Sequence, residues 1–191
     1  MRKISEFTQK FMMSRFLWWG IIFIGVSLRL YVYLENRSLW GDETSLALNI
    51  VHKNFSELTR LLDYHQAAPI GFLFIEKLFI IVLGNHDYIL RIFPFISGVL
   101  ALYFIYRFAR IHLGPAGIIA LALSSFTWLF VYYSSELKQY SSDVMVMSML
   151  LFFSGNCLKK DSSAKDFILL GITGSIAIWI SHPTIFVLVG I

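Results

Sequence analysis

Two adjacent carboxylates, Asp42 and Glu43, follow the first long apolar run of the sequence. A carboxylate within hydrogen-bond reach of a hydroxyl group can remove its proton, which is the chemistry of a general base. The alternative is structural, because Asp is favoured at the N-terminal cap of a helix and acidic residues suit its first turn. The two interpretations are compatible, since backbone amides that hold a carboxylate also orient it.

A second polar stretch carries His65 and Gln66 just before Pro69. An imidazole can donate to a phosphate, orient a base or bind a metal. The simpler interpretation is a loop-to-helix junction with solvated side chains, because proline suits the first turn of a helix. His182 ends a later apolar run, and together with His65 it could bind a divalent metal, although two histidines alone are a weak metal pattern.

The segment 132–143 is the densest polar stretch between two apolar runs. Glu136, Tyr140 and Asp143 recur there at spacings of four and three residues, so a helix would place them on one face. Asp143 would stand near the mouth of a membrane span, where an ionisable group is costly and usually functional. A hydrated external turn is the alternative.

Two arginines near the ends of apolar runs, Arg29 and Arg91, offer positive charge. Snorkelling of the side chain to the membrane interface explains each of them, and a guanidinium also has the fork geometry that binds a lipid phosphate. The sequence has no glycine-rich phosphate loop, nucleophile elbow or cysteine-based metal motif. We expect no nucleotide cofactor, and an activated substrate would have to arrive through the membrane.

Composition indicates a membrane protein. The chain is 57% hydrophobic and 15% charged, whereas a soluble domain carries about 25% charged residues. Several apolar runs approach the ~20 residues that cross a bilayer as a helix. The predicted class is therefore an all-α polytopic membrane protein with membrane lipids as partners. Its net charge of +4 does not indicate a nucleic-acid partner, because membrane proteins collect Lys and Arg in cytoplasmic loops.

The predicted organisation is a cytoplasmic tail, 1–15, followed by a transmembrane domain, 16–191. Its spans are expected at 16–34, 88–106, 116–133, 141–158, 167–180 and from 185 onward. We also expect the chain to be incomplete, because its last apolar run stops without a flanking loop.

An outer loop, 35–87, separates the first two spans and is predicted to hold two juxtamembrane helices, 43–63 and 69–84. If 69–84 does not cross the membrane, nine of the sixteen basic residues lie inside and nine of the twelve acidic residues lie outside. The positive-inside rule favours that arrangement. The candidate residues that then lie on the outer face are Asp42, Glu43, His65, Gln66, Arg91, Glu136, Lys138, Tyr140, Asp143 and His182.

In this order along the chain, the motifs resemble the amino-terminal part of a GT-C glycosyltransferase of the protein-mannosyltransferase and aminoarabinose-transferase-like group. The resemblance covers roughly residues 16–183. It is carried by four segments: Leu39-Trp40-Gly41-Asp42-Glu43, the proline-containing stretch from His65 to Phe72, Arg91 at the start of a span, and Tyr133 to Tyr140 with Asp143 beyond it.

The resemblance implies a GT-C-like transmembrane bundle that moves a sugar from a polyprenyl-phosphate donor to an acceptor hydroxyl, with inversion. Asp42 would be the general base, Glu43 would orient the site or the acceptor, and Arg91 or Lys138 would stabilise the leaving phosphate. The remaining substrate-binding candidates are His65, Gln66, Glu136, Tyr140, Asp143 and His182. No cofactor is certain, and a divalent metal stays open.

The expected location is a bacterial inner or cell membrane, with the active face outside the cytoplasm. The acceptor and the sugar are not indicated. The alternative function is a non-enzymatic polytopic membrane protein, either a transporter or a scaffold fragment. Because the polar groups gather at one face rather than along the spans, interfacial chemistry is favoured over conduction.

Overall fold

Helices account for all the regular structure in the described part of the chain, residues 14–191 of this computed structural model. Most of the predicted tail 1–15 lies outside the described residues. In chain order the helices are α1 Arg15–Leu34, α2 Gly41–His52, α3 Phe55–Leu58, α4 Ile70–Leu83, α5 Asp87–Leu90, α6 Ile92–Phe108, α7 Gly117–Phe126, α8 Trp128–Tyr132, α9 Tyr140–Cys157, α10 Ala164–Ile180 and α11 Thr184–Gly190. A π-helical turn, Ala109–Leu113, and the 3₁₀ turns Gly114–Ala116 and Tyr133–Ser135 complete them.

Helix α6 lies at the centre of the bundle and packs against α1, α7 and α9, while α9 also packs against α10 and α11. Within residues 14–191, two segments are long and apolar enough to cross a membrane, the 20 residues of α1 and the bent 40-residue run Asp87–Phe126. These two segments support the membrane class. The number of crossings and their direction stay predictions.

Five predicted spans coincide within a few residues with single helices, namely α1, α6, α9, α10 and α11. The predicted span 116–133 is instead divided, because α7 ends at Phe126 and Thr127 has extended backbone (ψ 120°). Arg29 reaches this break and donates to the carbonyls of Ser124 (2.9 Å) and Ser125 (3.2 Å). Arg29 is only 2% exposed, so it satisfies backbone groups at a helix end and does not snorkel.

The predicted single helix 43–63 is wrong, because the structure divides it. Helix α2 ends at His52, and Asn54 then caps the short α3: its side chain accepts from Glu57 N–H (3.0 Å), and Glu57 accepts from Asn54 N–H (2.8 Å). This reciprocal capping favours a new helix start over continuation. Asn49 holds the following loop against α2 through two hydrogen bonds with the backbone of Asp63.

Helix α4 agrees with the predicted helix 69–84 and docks on α2. Lys77 Nζ donates to the carbonyls of Ile50 and Val51, both at 2.9 Å, at the C-terminal end of α2 where a cation is favourable. Its neighbour Glu76 is fully buried, and burial raises the pKa of that carboxyl well above its usual range. The raised pKa favours the neutral acid, whose unpaired oxygens are less costly to bury than those of a carboxylate.

An apolar cluster beneath the segment 35–87 positions the candidate site. Leu46 and Ile50 of α2 meet Phe72 and Leu73 of α4, and Leu137 from the loop before α9 completes the contact. All five side chains are at most 1% exposed. Burying a side chain of this size stabilises the fold by roughly 1.5–3 kcal/mol, so α2, α4 and the loop are held together before any polar contact is counted.

Candidate active site

The two adjacent carboxylates point into different environments, because successive residues of a helix are about 100° apart. Asp42 has a side chain that is 38% exposed, whereas that of Glu43 is fully buried. The cap of α2 is Trp40 rather than Asp42, and its backbone N–H donates to Glu43 Oε2 at 3.4 Å. The capping role considered for Asp42 therefore belongs to Glu43, and Asp42 is left on the open side of the helix.

Glu43 binds the buried guanidinium of Arg91. Arg91 Nη2 lies 2.9 Å from Glu43 Oε2 and 3.2 Å from Oε1, and Arg91 Nε lies 3.2 Å from Oε1. The Leu137 backbone N–H also donates to Oε1, at 2.8 Å. Arg91 is 1% exposed and donates its remaining terminal nitrogen to the carbonyl of Arg37. This pair joins α2, the start of α6 and the loop before α9.

Arg37 extends the buried network and was missed by the sequence analysis. Its Nη1 lies 3.6 Å from Glu43 Oε2 and its Nη2 lies 3.2 Å from Glu136 Oε1. The guanidinium also stacks over the Tyr132 ring, 4.5 Å from the centroid. The sequence signal for Arg37 was its position, because it is a single cation shortly before the acidic motif, whose two carboxylates need positively charged partners. Glu136 is 1% exposed and keeps Oε2 unpaired, so it has one acceptor oxygen free.

Asp42 belongs to a closed triangle with Gln66 and Lys138. Lys138 Nζ lies 2.6 Å from Asp42 Oδ2, Gln66 Nε2 donates to Asp42 Oδ1 at 2.8 Å, and Lys138 Nζ donates to Gln66 Oε1 at 2.8 Å. The Lys138 ammonium and then the Gln66 amide hold the pKa of the Asp42 carboxyl below its ordinary value, against a smaller opposing effect of burial. Asp42 is therefore ionised at neutral pH and partly open to solvent.

A cavity of about 340 Å³ lies beside the start of α9, and its size is within the usual range of ligand pockets. Tyr140 and Asp143 line it, and Tyr140 is close enough to Asp42 and Glu136 for their charges to act on its phenol group. Asp143 faces Ser181 and His182 and keeps one buried oxygen, Oδ1, without a hydrogen bond. The rest of the wall is largely apolar and includes Leu102, Ile105, Leu129, Phe130, Val144 and Met147.

The two histidines are the least engaged of the predicted site residues. His65 is exposed, has left-handed backbone (φ 54°), and makes no hydrogen bond or ion pair within residues 14–191. His182 is exposed at the end of α10, near Asp143. No three His, Cys, Asp or Glu side chains in the described chain are placed to hold a metal ion.

The structure thus brings most of the predicted residues into three adjoining groups. The first is the triangle of Asp42, Gln66 and Lys138. The second is the buried network of Glu43, Arg91, Arg37 and Glu136. The third is the cavity with Tyr140 and Asp143, which His182 adjoins from outside. An ionised, partly exposed carboxylate beside a lysine and an apolar cavity can accept a proton near a bound lipid.

A helical membrane protein with this acidic and basic cluster at one end of its bundle fits the class of membrane glycosyltransferases. The family model of the dolichyl-phosphate-mannose-protein mannosyltransferases matches residues 67–191, which is more than half of the chain. The chain belongs to this family, which confirms the predicted resemblance. No curated protein and no solved structure matches the chain significantly.

The matched range starts later than the predicted one. It includes Arg91, the segment from Glu136 to Asp143 and His182, whereas the acidic motif and Gln66 precede it. The family match therefore does not extend to Asp42, Glu43 or Gln66.

Proposed function

We propose that this membrane glycosyltransferase moves a sugar from a polyprenyl-phosphate donor to an acceptor hydroxyl on the outer face of the membrane, inverting the anomeric configuration. The family description names dolichyl phosphate mannose as donor and protein as acceptor. Mannose on a long isoprenoid phosphate is therefore the first donor to test, and a protein hydroxyl is the first acceptor. The charge distribution of the loops supports the outer face.

The position of Asp42 carries the proposal. It is the carboxylate of the cluster that is both ionised and accessible, because Glu43 and Glu136 are buried against Arg91 and Arg37. In the transfer, the acceptor oxygen bonds to the anomeric carbon while the bond from that carbon to the phosphate oxygen breaks. The hydroxyl proton passes to Asp42, and the bonding electron pair leaves with the phosphate.

Glu43 and Arg91 act in this proposal as positioning residues. Both are inaccessible to an acceptor or a phosphate, since Glu43 is fully buried and Arg91 is 1% exposed. Their ion pair ties α2 to the loop that carries Lys138 through the bond from Leu137 N–H to Glu43. We accordingly assign the leaving phosphate to Lys138 rather than to Arg91, since an ammonium ion can stabilise the growing negative charge.

The cavity suits the remaining parts of the donor. Its apolar wall favours isoprenoid carbons, and Tyr140, which lines it together with Asp143, is close enough to Asp42 for that charge to act on its phenol group. The unpaired oxygen of Asp143 is an acceptor that a sugar hydroxyl would satisfy. We propose that these residues line the sugar pocket, with Gln66 holding Asp42 in place. The histidines at 65 and 182 stay available for the acceptor side.

The test is transfer from polyprenyl-phosphate [¹⁴C]mannose in membranes containing the chain. Asp42→Asn keeps the shape of the side chain and removes the base, so the rate should fall about 100-fold or more. Asp63→Asn is the matched control, because Asp63 pairs with Lys53 (2.9 Å) in the same outer loop and is 65% exposed. It should leave the rate unchanged.

Two outcomes contradict the proposal. Near wild-type transfer by a folded Asp42→Asn protein would remove Asp42 from the role of base. Failure of the wild-type protein to use any polyprenyl-phosphate sugar would contradict the donor class. The melting temperature of each variant, followed by tryptophan fluorescence, separates loss of chemistry from loss of fold.

A further inference from the structure

The ammonium of Lys138 is held by the other two members of the triangle. In the structure it binds Asp42 Oδ2 and Gln66 Oε1, at 2.6 and 2.8 Å, so two of its three protons are used. The lysine side chain is only 7% exposed, whereas that of Asp42 is 38% exposed. A ligand that arrives from the open side meets the carboxylate with the ammonium directly behind it.

The other cations near this point are already engaged. Arg91 is held by Glu43 and by the carbonyl of Arg37, and Arg37 is held by Glu43 and Glu136. Their guanidinium groups serve buried carboxylates and would leave those carboxylates unpaired if they moved, which is costly. Lys138 differs, because its acidic partner is accessible to water and its four-carbon stem is flexible.

Among residues 14–191, further charged or titratable groups near the triangle include Tyr140, Tyr133, Glu136 and Asp143. Tyr140, at the start of α9, is close enough to Asp42, Glu136 and Asp143 for their charges to act on its phenol group. Glu136 pairs with Arg37, and Asp143 faces Ser181 and His182. Lys138 and Gln66 are therefore the groups that set the proton affinity of Asp42.

We propose that Lys138 is a donor-operated switch on Asp42: the donor phosphate draws the ammonium away from the carboxylate, and only then does Asp42 become an effective proton acceptor. The inference rests on the proposed function, because it requires a lipid-phosphate donor at this site. Without donor, the close ammonium stabilises the anion and makes it a weak base. With donor, the phosphate competes for the same ammonium, and Asp42 keeps only the neutral amide of Gln66.

The charges that change during transfer reinforce this exchange. The donor phosphodiester carries one negative charge, and it gains a second when the bond to the anomeric carbon breaks and its electron pair stays on the phosphate oxygen. At the same time Asp42 takes the hydroxyl proton and loses its charge. The attraction of Lys138 therefore moves from Asp42 to the phosphate as the reaction advances, which stabilises the transition state more than the resting state.

The switch also sets the order in which donor and acceptor bind. Before the donor arrives, Asp42 is a poor base and does not activate an acceptor or a water molecule. The donor must therefore bind first. In the pH dependence of transfer, the acidic limb of kcat should lie at higher pH than the acidic limb of kcat/KM, which reports the free enzyme.

The experiment uses the 191-residue chain in lipid nanodiscs with undecaprenyl phosphate as the probe. Solid-state NMR with ¹⁵N-labelled lysine measures dephasing of lysine Nζ signals by the ³¹P of the probe. Infrared difference titration of ¹³C-labelled aspartate follows protonation of Asp42, which is assigned through Asp42→Asn. We expect one lysine to be dephased, and the Asp42 midpoint to rise by about one pH unit or more when the probe binds.

Two lysine variants complete the design. In Lys138→Met the dephased signal should disappear, and the Asp42 midpoint should be high without the probe. Lys53→Met is the matched control, since Lys53 also pairs with an aspartate of the outer loop, and it should behave as wild type. The wild-type titration alone tests the switch if Lys138→Met does not fold.

The outcomes distinguish a failure of the Lys138 switch from a failure of the proposed donor site. Bound probe without contact to Lys138, or with contact but an unchanged Asp42 midpoint, overturns the switch and leaves the donor site standing. A failure of wild type to bind undecaprenyl phosphate overturns the proposed donor class as well as the switch.

Discussion

Glu43→Gln should destabilise the protein by about 3 kcal/mol, because it leaves the guanidinium of Arg91 buried without its counter-ion. Three nitrogen–oxygen contacts of 2.9–3.2 Å join the two side chains, and neither is more than 1% exposed. Removing one partner of a buried pair costs roughly 3–5 kcal/mol. The glutamine oxygen can still accept one hydrogen bond, which places the expected loss at the lower end.

Arg91→Met should cost less than Glu43→Gln. Its loss leaves Glu43 with the guanidinium of Arg37 at 3.6 Å and with the N–H groups of Leu137 and Trp40. Because the two single losses share one interaction, the double variant should be more stable than their sum predicts, by about 2 kcal/mol.

The assay is equilibrium unfolding in mixed micelles, followed by the fluorescence of the five tryptophans. The Lys53–Asp63 pair provides a comparison cycle, because Asp63 is 65% exposed and exposed pairs contribute about 0.2–1 kcal/mol. A coupling free energy for Glu43 and Arg91 no larger than that of the exposed pair would refute the buried-pair account.

Two further predictions concern packing and topology. Gly71→Ala should destabilise the protein by about 1–3 kcal/mol, because the added Cβ would lie 2.6 Å from the carbonyl oxygen of Trp179. Gly171→Ala is the control, since a Cβ there has nothing within 4 Å. In the same unfolding assay it should be neutral or slightly stabilising. In a background with the native cysteine changed to serine, Leu61→Cys should react with an impermeant maleimide from outside and Ser162→Cys only from the cytoplasm. Labelling of both from one side would contradict the proposed topology.

Much of the helical framework could be predicted from local sequence. Long apolar runs indicated α1, α6, α9 and α10 to within a few residues, because helix length and composition are local properties. The breaks could not be predicted in this way. At the interruption before Thr127, Arg29 from another helix binds carbonyls of the helix end. The end of α2 before Asn54 depends on capping that competes with a continuous amphipathic pattern.

The candidate site was only partly accessible from the sequence. Loop charges indicated one common face for these residues, and the structure brings Asp42, Gln66 and Lys138 together. The different roles of Asp42 and Glu43 could not be predicted from the sequence, because two adjacent acids cannot be told apart until their partners in the fold are known. Arg37 was overlooked for the same reason: its role depends on two carboxylates that are 6 and 99 residues away along the chain.

The most direct test of the central claim is a density map of the protein in nanodiscs with bound undecaprenyl phosphate. We predict that the phosphate lies within hydrogen-bond distance of Lys138 Nζ and that the first isoprenoid carbons lie in the cavity lined by Tyr140 and Met147. A phosphate bound instead at the opposite end of the bundle, beside Arg107 and Arg110, would contradict the account.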